Sequence, residues 1–128
     1  MNNFFKRNLG KEWGNLYETI ERNTETYKSL KGLPRLLPLA KELQNDKSLH
    51  CLMPWQHHGV LTLFLMDWER QTTHALVTAL PTGEDVYRIY LHDENLPYSV
   101  RPLREIESMP LGEIRSLIYA ELQARRIP

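Results

Sequence analysis

The sequence has one cysteine, Cys51, among its 128 residues. A lone cysteine cannot form an internal disulfide, so we expect a fold that does not depend on oxidation and a reducing compartment, the cytoplasm. The leucine-rich surroundings of Cys51 favour a buried, inert thiol over a catalytic nucleophile, even though His50 is its neighbour.

Long apolar runs are also missing. The longest run, VLTLFLM, is too short to cross a bilayer, and the opening stretch MNNFFKRNLGKEWGN has no apolar core of signal-peptide length. We therefore expect a soluble, unprocessed protein with no membrane partner.

An excess of charge of either sign is absent, since 16 basic residues balance 16 acidic ones. The chain thus lacks a global field that would attract nucleic acid or an anionic membrane. A hydrophobic fraction of 41% and a charged fraction of 25% fit a globular protein. We expect one domain over residues 1–128, with disorder confined to the ends, such as residues 1–10.

Motifs that carry chemistry are missing as well. There is no HExxH, CxxC, P-loop, GxGxxG or GxSxG pattern, and adjacent His57 and His58 point apart on a strand or turn. A zinc site needs three or four organised ligands, so the sequence predicts no metal site and no cofactor.

What the sequence does contain is a stretch with strong strand character, from His57 to His92. Three runs rich in β-branched, aromatic and aliphatic residues, at 60–68, 74–80 and 86–92, are separated by ERQTT and PTGED. The short breaks predict an antiparallel meander. The segment SVRPLREI adds a fourth strand, which Pro102 would restrict to an edge.

Helical periodicity appears on both sides of these strands. Apolar residues repeat at helical spacing over 11–31 and 110–126, and a shorter helix is predicted over 35–46 with its regular part beginning near Pro38. The segment SLHCLMPWQHHG reads as an irregular connector. The predicted fold is α+β, of order α-α-β-β-β-(β)-α, with a three- to four-stranded meander packed on helices as a two-layer sandwich.

The loop lengths predict the register, with Trp68 opposite His74 and Leu80 opposite Val86. One face then carries the expected core: Leu61, Leu63, Leu65, Ala75, Val77, Ala79, Tyr87, Ile89 and Leu91. The other face is amphipathic: Thr62, Phe64, Met66, Trp68, His74, Leu76, Thr78, Leu80, Val86, Arg88, Tyr90 and His92. On it the register places Trp68, His74 and His92 in one row.

Two explanations for this amphipathic face stay open. A helix or the WQHHG connector covers it as a second small core, or a partner chain covers it, because apolar patches rimmed by Arg, Tyr and Trp are typical of interfaces. A homodimer and a foreign partner would look alike. The predicted partner-binding residues are Trp68, His74, Arg88, Tyr90 and His92.

These observations favour a non-enzymatic protein-binding module over an enzyme. We expect an immunity-type or inhibitor-type protein that neutralises or escorts a toxin or another enzyme. The first alternative is a small hydrolase or nuclease that uses His74 or His92 with a carboxylate such as Asp67. The second is a single-stranded nucleic-acid binder on the sheet face, against which the neutral charge and the single basic residue there, Arg88, both argue.

Overall fold

The computed structural model describes residues 9–26, 32–67, 70–92 and 104–125. Within these ranges three α-helices accompany one five-stranded antiparallel sheet of order β1-β2-β3-β4-β5, so the α+β class is confirmed and the sheet is wider than expected. The elements are α1 Gly10–Thr26, α2 Leu37–Gln44, β1 Met53–His57, β2 Val60–Asp67, β3 Thr72–Gly83, β4 Val86–Leu91, β5 Arg104–Pro110 and α3 Leu111–Ala124.

The helices follow the predicted segments closely. α1 ends at Thr26, and residues 27–31 of the predicted helix lie outside the described residues. A 3-10 helix, Leu33–Leu36, runs directly into α2, whose first turn contains Pro38. A first turn has no intrahelical partner for that missing N–H, so the proline is tolerated there. The predicted C-terminal helix is confirmed as α3.

The segment predicted as an irregular connector contains the edge strand β1, which corrects that prediction. β1 pairs with the first half of β2, with Pro54 opposite Leu63. A proline is compatible with an edge strand because one side of that strand needs no donor. His58 and Gly59 connect the two strands with φ angles of 48° and 80°. Positive φ at both positions is typical of the two-residue type I′ hairpin turn.

The predicted register was wrong at both connections of β3. β3 continues through Pro81 to Gly83, so that Leu80 pairs with Arg88 and not with Val86. His74 pairs with Leu65, whereas the prediction placed it opposite Trp68, which lies outside the described residues. The shift is two residues where Leu80 pairs with Arg88 and where Leu63 pairs with Val77, and a shift of two leaves each side chain on its predicted face.

A β-bulge in β3 then changes the faces locally. Leu63 pairs with Val77 but Phe64 pairs with Ala75, which leaves Leu76 as the extra residue. Beyond the bulge, His74 pairs with the buried Leu65. The bulge therefore places His74 on the helix-bearing face and Ala75 on the opposite one, contrary to the prediction, and Leu76 joins the core.

The core lies between the helices and one face of the sheet. Its members include Trp13, Leu16, Ile20, Leu39, Ala40, Leu43, Leu61, Leu63, Leu65, Val77, Ala79, Tyr87, Ile89, Leu91, Ile114, Ile118 and Leu122. The polar atoms of its aromatic residues are satisfied, since Trp13 Nε1 donates to the Leu52 carbonyl at 2.9 Å and Tyr87 Oη donates to the Arg35 carbonyl at 2.6 Å. This arrangement matches the predicted two-layer packing.

The fourth predicted strand corresponds in part to β5. β5 pairs with β4 and ends at Pro110, directly before α3. Residues 99–103 of the predicted strand lie outside the described residues. Among the described residues, no helix has the length and apolar character needed to span a membrane.

Candidate interaction face

The face of the sheet opposite the helical core, here called the second face, carries one row of side chains across all five strands. Directly opposite residues of antiparallel strands point to the same side of the sheet. The pairings join the row in this order: Trp55 with Thr62, Thr62 with Thr78, Thr78 with Tyr90 and Tyr90 with Glu105. We call these five residues the cross-sheet row.

The centre of the cross-sheet row is buried and its ends are exposed. Thr62 and Thr78 are 0% and 5% exposed, whereas Trp55 is 43% exposed and Glu105 is also exposed. The two buried hydroxyls lie 2.9 Å apart, so they form a hydrogen bond with each other. The part of the second face that a partner could reach therefore lies toward the two edges of the row.

Trp55 is held by neighbours on the same face. Its ring stacks on His57, two residues along β1, with centroids 3.9 Å apart and planes at 15°, and it lies 5.8 Å from the Phe64 ring. Gln56, which points the other way, accepts a 2.8 Å hydrogen bond from Asn23 of α1. The strand and the indole are thus fixed from both sides.

His57 favours its neutral form. Burial, with a further contribution from the adjacent His58, lowers the pKa of His57 below its ordinary value. The ring centroids of the two histidines are 5.0 Å apart in an edge-to-face arrangement. At neutral pH the stack on Trp55 is therefore between two uncharged rings, which adds to its apolar character.

The other end of the second face is mixed in charge. Arg88 Nε lies 3.3 Å from Glu105 Oε1 without the geometry of a hydrogen bond, so this contact is ionic. A hydrogen bond with Tyr90 raises the pKa of Arg88. Because both side chains of the ion pair are well exposed, the pair contributes little to folding and remains accessible to a partner.

Three of the predicted partner-binding residues lie on the second face. Arg88, Tyr90 and His92 alternate along β4 and the residue after it, and His92 is only 7% exposed. The imidazole Nε2 of His92 lies 2.8 Å from Thr78 Oγ1, which extends the hydrogen-bonded pair of threonines. His92 thus belongs to the buried centre of the face.

The other two predicted residues do not join them. His74 is on the helix-bearing face, where its Nε2 lies 3.3 Å from Thr72 Oγ1, and Trp68 is outside the described residues. His74 and His92 therefore lie on opposite faces of the sheet. The predicted row that joined these two histidines across the sheet is therefore not formed.

Sequence reasoning missed Trp55, the most exposed large hydrophobic residue among those described. The segment WQHHGV contains the signal that could have identified it. A glycine-containing turn between two alternating segments predicts a hairpin, and Pro54 marks an edge strand without excluding one.

Among the described residues, neither Cys51 nor any cluster of metal-ligating side chains forms a second candidate site. Burial raises the pKa of the Cys51 thiol to about 12, so it stays protonated. In the described ranges, histidine, cysteine and carboxylate side chains form no group of three that could hold a metal ion.

Comparison with known proteins gives no functional information. No protein-family model matches the chain, and neither a curated protein nor a solved structure resembles it significantly.

Proposed function

We propose that this chain is a non-enzymatic protein-binding module of the immunity or inhibitor type, which binds a toxin or another enzyme in the cytoplasm through the exposed ends of its second face. The observation that carries the proposal is Trp55, 43% exposed and yet fixed by its stack on His57. An exposed aromatic residue that is already ordered loses little conformational entropy on binding.

The composition of the second face supports a protein partner. Interface energy is concentrated in Trp, Tyr and Arg, and the face carries one of each in Trp55, Tyr90 and Arg88. Trp55 on β1 and Tyr90 on β4 are three strand spacings apart, about 14 Å. One partner surface of ordinary size, roughly 800 Å² per side, is wide enough to contact both.

The charges on the face favour protein over nucleic acid. Arg88 is paired with Glu105, and Glu107 lies near enough to act on Arg88 electrostatically. Phosphate groups would meet carboxylates there instead of the several cations that nucleic-acid binding requires. A protein surface with both apolar and charged groups matches the face better. The unpaired Cys51 agrees with a reducing compartment.

The test compares three forms of the chain as baits for lysate proteins: the unchanged chain, Trp55→Ala and Tyr119→Ala. Tyr119 is a matched control because it is 39% exposed but lies on α3, on the other side of the sheet. We expect one protein that the unchanged chain and Tyr119→Ala capture equally. Its affinity for Trp55→Ala should fall about 30-fold, which corresponds to about 2 kcal/mol.

Two results would contradict the proposal. Equal capture by all three baits would show that the second face is not the binding surface. Sedimentation of the isolated chain as a dimer that Trp55→Ala dissociates would show that the face binds a second copy of the chain.

A further inference from the structure

A line of hydrogen bonds runs through the buried part of the second face and ends on a histidine that the proposed function does not use. Thr62 Oγ1 lies 2.9 Å from Thr78 Oγ1, which lies 2.8 Å from His92 Nε2. The three side chains come from β2, from β3 and from the residue after β4. All three are buried.

The protonation state of His92 limits the direction of this line. Each threonine hydroxyl has one proton to donate, and a neutral imidazole can present Nε2 either as an acceptor or as a donor. The line can then run in either direction. An imidazolium can only donate, so Thr78 must donate its own proton to Thr62. The hydroxyl proton of Thr62 must then point away from Thr78. Protonation of His92 therefore removes one of the two arrangements.

The backbone of His92 also holds the end of α3. The guanidinium of Arg125, the residue after α3, donates a hydrogen bond to the His92 carbonyl oxygen. Among the described residues this brings a fixed positive charge against His92, while β2 and β3 contribute the uncharged Thr62 and Thr78. A proton on His92 would place a second positive charge beside Arg125 in a partly desolvated environment, where like charges repel strongly.

The rest of α3 is attached differently. Ile114 and Ile118 are buried in the core, and Tyr119 donates a hydrogen bond to Asp46, which also lies 3.6 Å from Arg115 Nε. Burial acts to raise the pKa of Asp46, but hydrogen bonds from Ser48 and Tyr119 hold it below its ordinary value of 3.8. This attachment thus keeps its charge in mild acid.

From these contacts we infer that protonation of His92 releases the last turn of α3 from the sheet. When the imidazole becomes protonated, Arg125 leaves the His92 carbonyl and the last turn opens, while the helix stays attached through Ile114, Ile118 and the Asp46 contacts. The inference concerns the fold itself and is independent of the proposed partner.

The direction of the pH dependence follows from the environment of His92. Burial, and then the charge of Arg125, lower the pKa of His92 below its ordinary value of 6.5. The unfolded or opened chain therefore binds the proton more tightly than the folded chain. The contact between Arg125 and the His92 carbonyl is fully present above about pH 6.5, and it is lost as the pH falls through the pKa of His92 in the folded chain.

Hydrogen–deuterium exchange of the full chain at about pH 7.5 and about pH 5.5, corrected for the intrinsic rate, measures the opening. The Arg125 amide, bonded to the Glu121 carbonyl at 3.2 Å, reports on the last turn. We expect its protection to fall about fivefold or more in acid, while that of the first turns of α3 changes little. His92→Gln, which can still bond to Thr78, should abolish this response. His58→Gln, at an exposed histidine, should keep it.

Arg125→Gln provides a second variant that does not touch the sheet interior. It should lower protection of the last turn already at neutral pH and remove the further loss in acid. Arg115→Gln, on the same helix but paired with Asp46, should keep the response of the unchanged chain. The inference is overturned if the loss of last-turn protection between neutral and acid pH is as large in His92→Gln or in Arg125→Gln as in the unchanged chain, or if the unchanged chain shows no such loss.

Discussion

The two faces of the sheet are held by different kinds of interaction. The face under the helices is a continuous apolar cluster to which α1, α2 and α3 all contribute, whereas the second face has two threonines and a histidine at its centre, joined by hydrogen bonds. Apolar burial is large and has no direction, and hydrogen bonds are individually modest but directional. The first face therefore supplies most of the stability, whereas the second carries a buried titratable side chain, His92, whose hydrogen bonds depend on its protonation.

Removal of α3 should have the largest effect on stability. Truncation before Pro110 takes away Ile114, Ile118 and Leu122, which are all buried in the core. Their burial amounts to about 5–9 kcal/mol, comparable with the whole stability of a domain of this size. We expect the shortened chain to lack dispersed amide resonances in NMR spectra. A truncated protein with unchanged thermal unfolding would show that α3 does not complete the core.

A single core substitution should have the next largest effect. Leu65 is fully buried, and Leu65→Ala should lower the free energy of unfolding by about 2–5 kcal/mol through lost transfer energy and a cavity. Leu80→Ala on the second face, where the side chain is only half-buried, is the matched control and should cost about 1 kcal/mol or less. Denaturant unfolding measures both. Equal losses would mean that the faces are energetically equivalent.

Thr78→Val tests the buried hydrogen bonds directly. The change preserves shape but removes the hydroxyl that contacts both Thr62 and His92. Each buried hydrogen bond contributes about 0.5–1.5 kcal/mol, so the loss of both should lower the free energy of unfolding by about 1–3 kcal/mol. The sequence left open whether the second face is covered, and it carried no signal of these hydrogen bonds. Thr73→Val, at an exposed position of the same strand, should be close to neutral. Similar denaturation midpoints for the two variants would show that these hydrogen bonds do not contribute to stability.

Trp55→Ala should have the smallest effect on folding. The side chain is largely exposed, so its removal costs mainly the contacts with His57 and Phe64, about 1 kcal/mol. Unfolding measurements on the variant used as bait would establish this. A loss as large as that of Leu65→Ala would make Trp55 a structural residue and would remove the basis of the proposed binding role.

Local patterns in the sequence were sufficient to predict most of the fold. The β2, β3 and β4 segments alternate or are continuously apolar, and α3 has clear helical spacing after Pro110. Face assignment also succeeded on β2 and β4, because a register error of two residues returns each side chain to the same side. These features depend on residues that are close together in the chain.

The candidate site could not be predicted to the same extent, because it depends on how strands are joined. PTGED resembles a five-residue loop, but β3 extends to Gly83 and leaves Glu84 and Asp85 as the turn, with a φ of 56° at Asp85. The bulge at Leu76 has no signal in a run of apolar residues, yet it decides on which face His74 lies. Trp55 was missed because Pro54 was taken to indicate irregular backbone.

The two edge strands of the sheet influence how the protein behaves at high concentration. An open edge can recruit a strand from another molecule and begin aggregation, and proteins avoid this with proline, charge and bulges. β1 carries Pro54, and β5 carries Arg104, Glu105 and Glu107 with a bulge in its pairing to β4. Both edges are therefore poor templates for uncontrolled strand addition. Replacing Pro54 with valine would restore a donor and a β-branched side chain at one edge, and should make that edge a better template for strand addition.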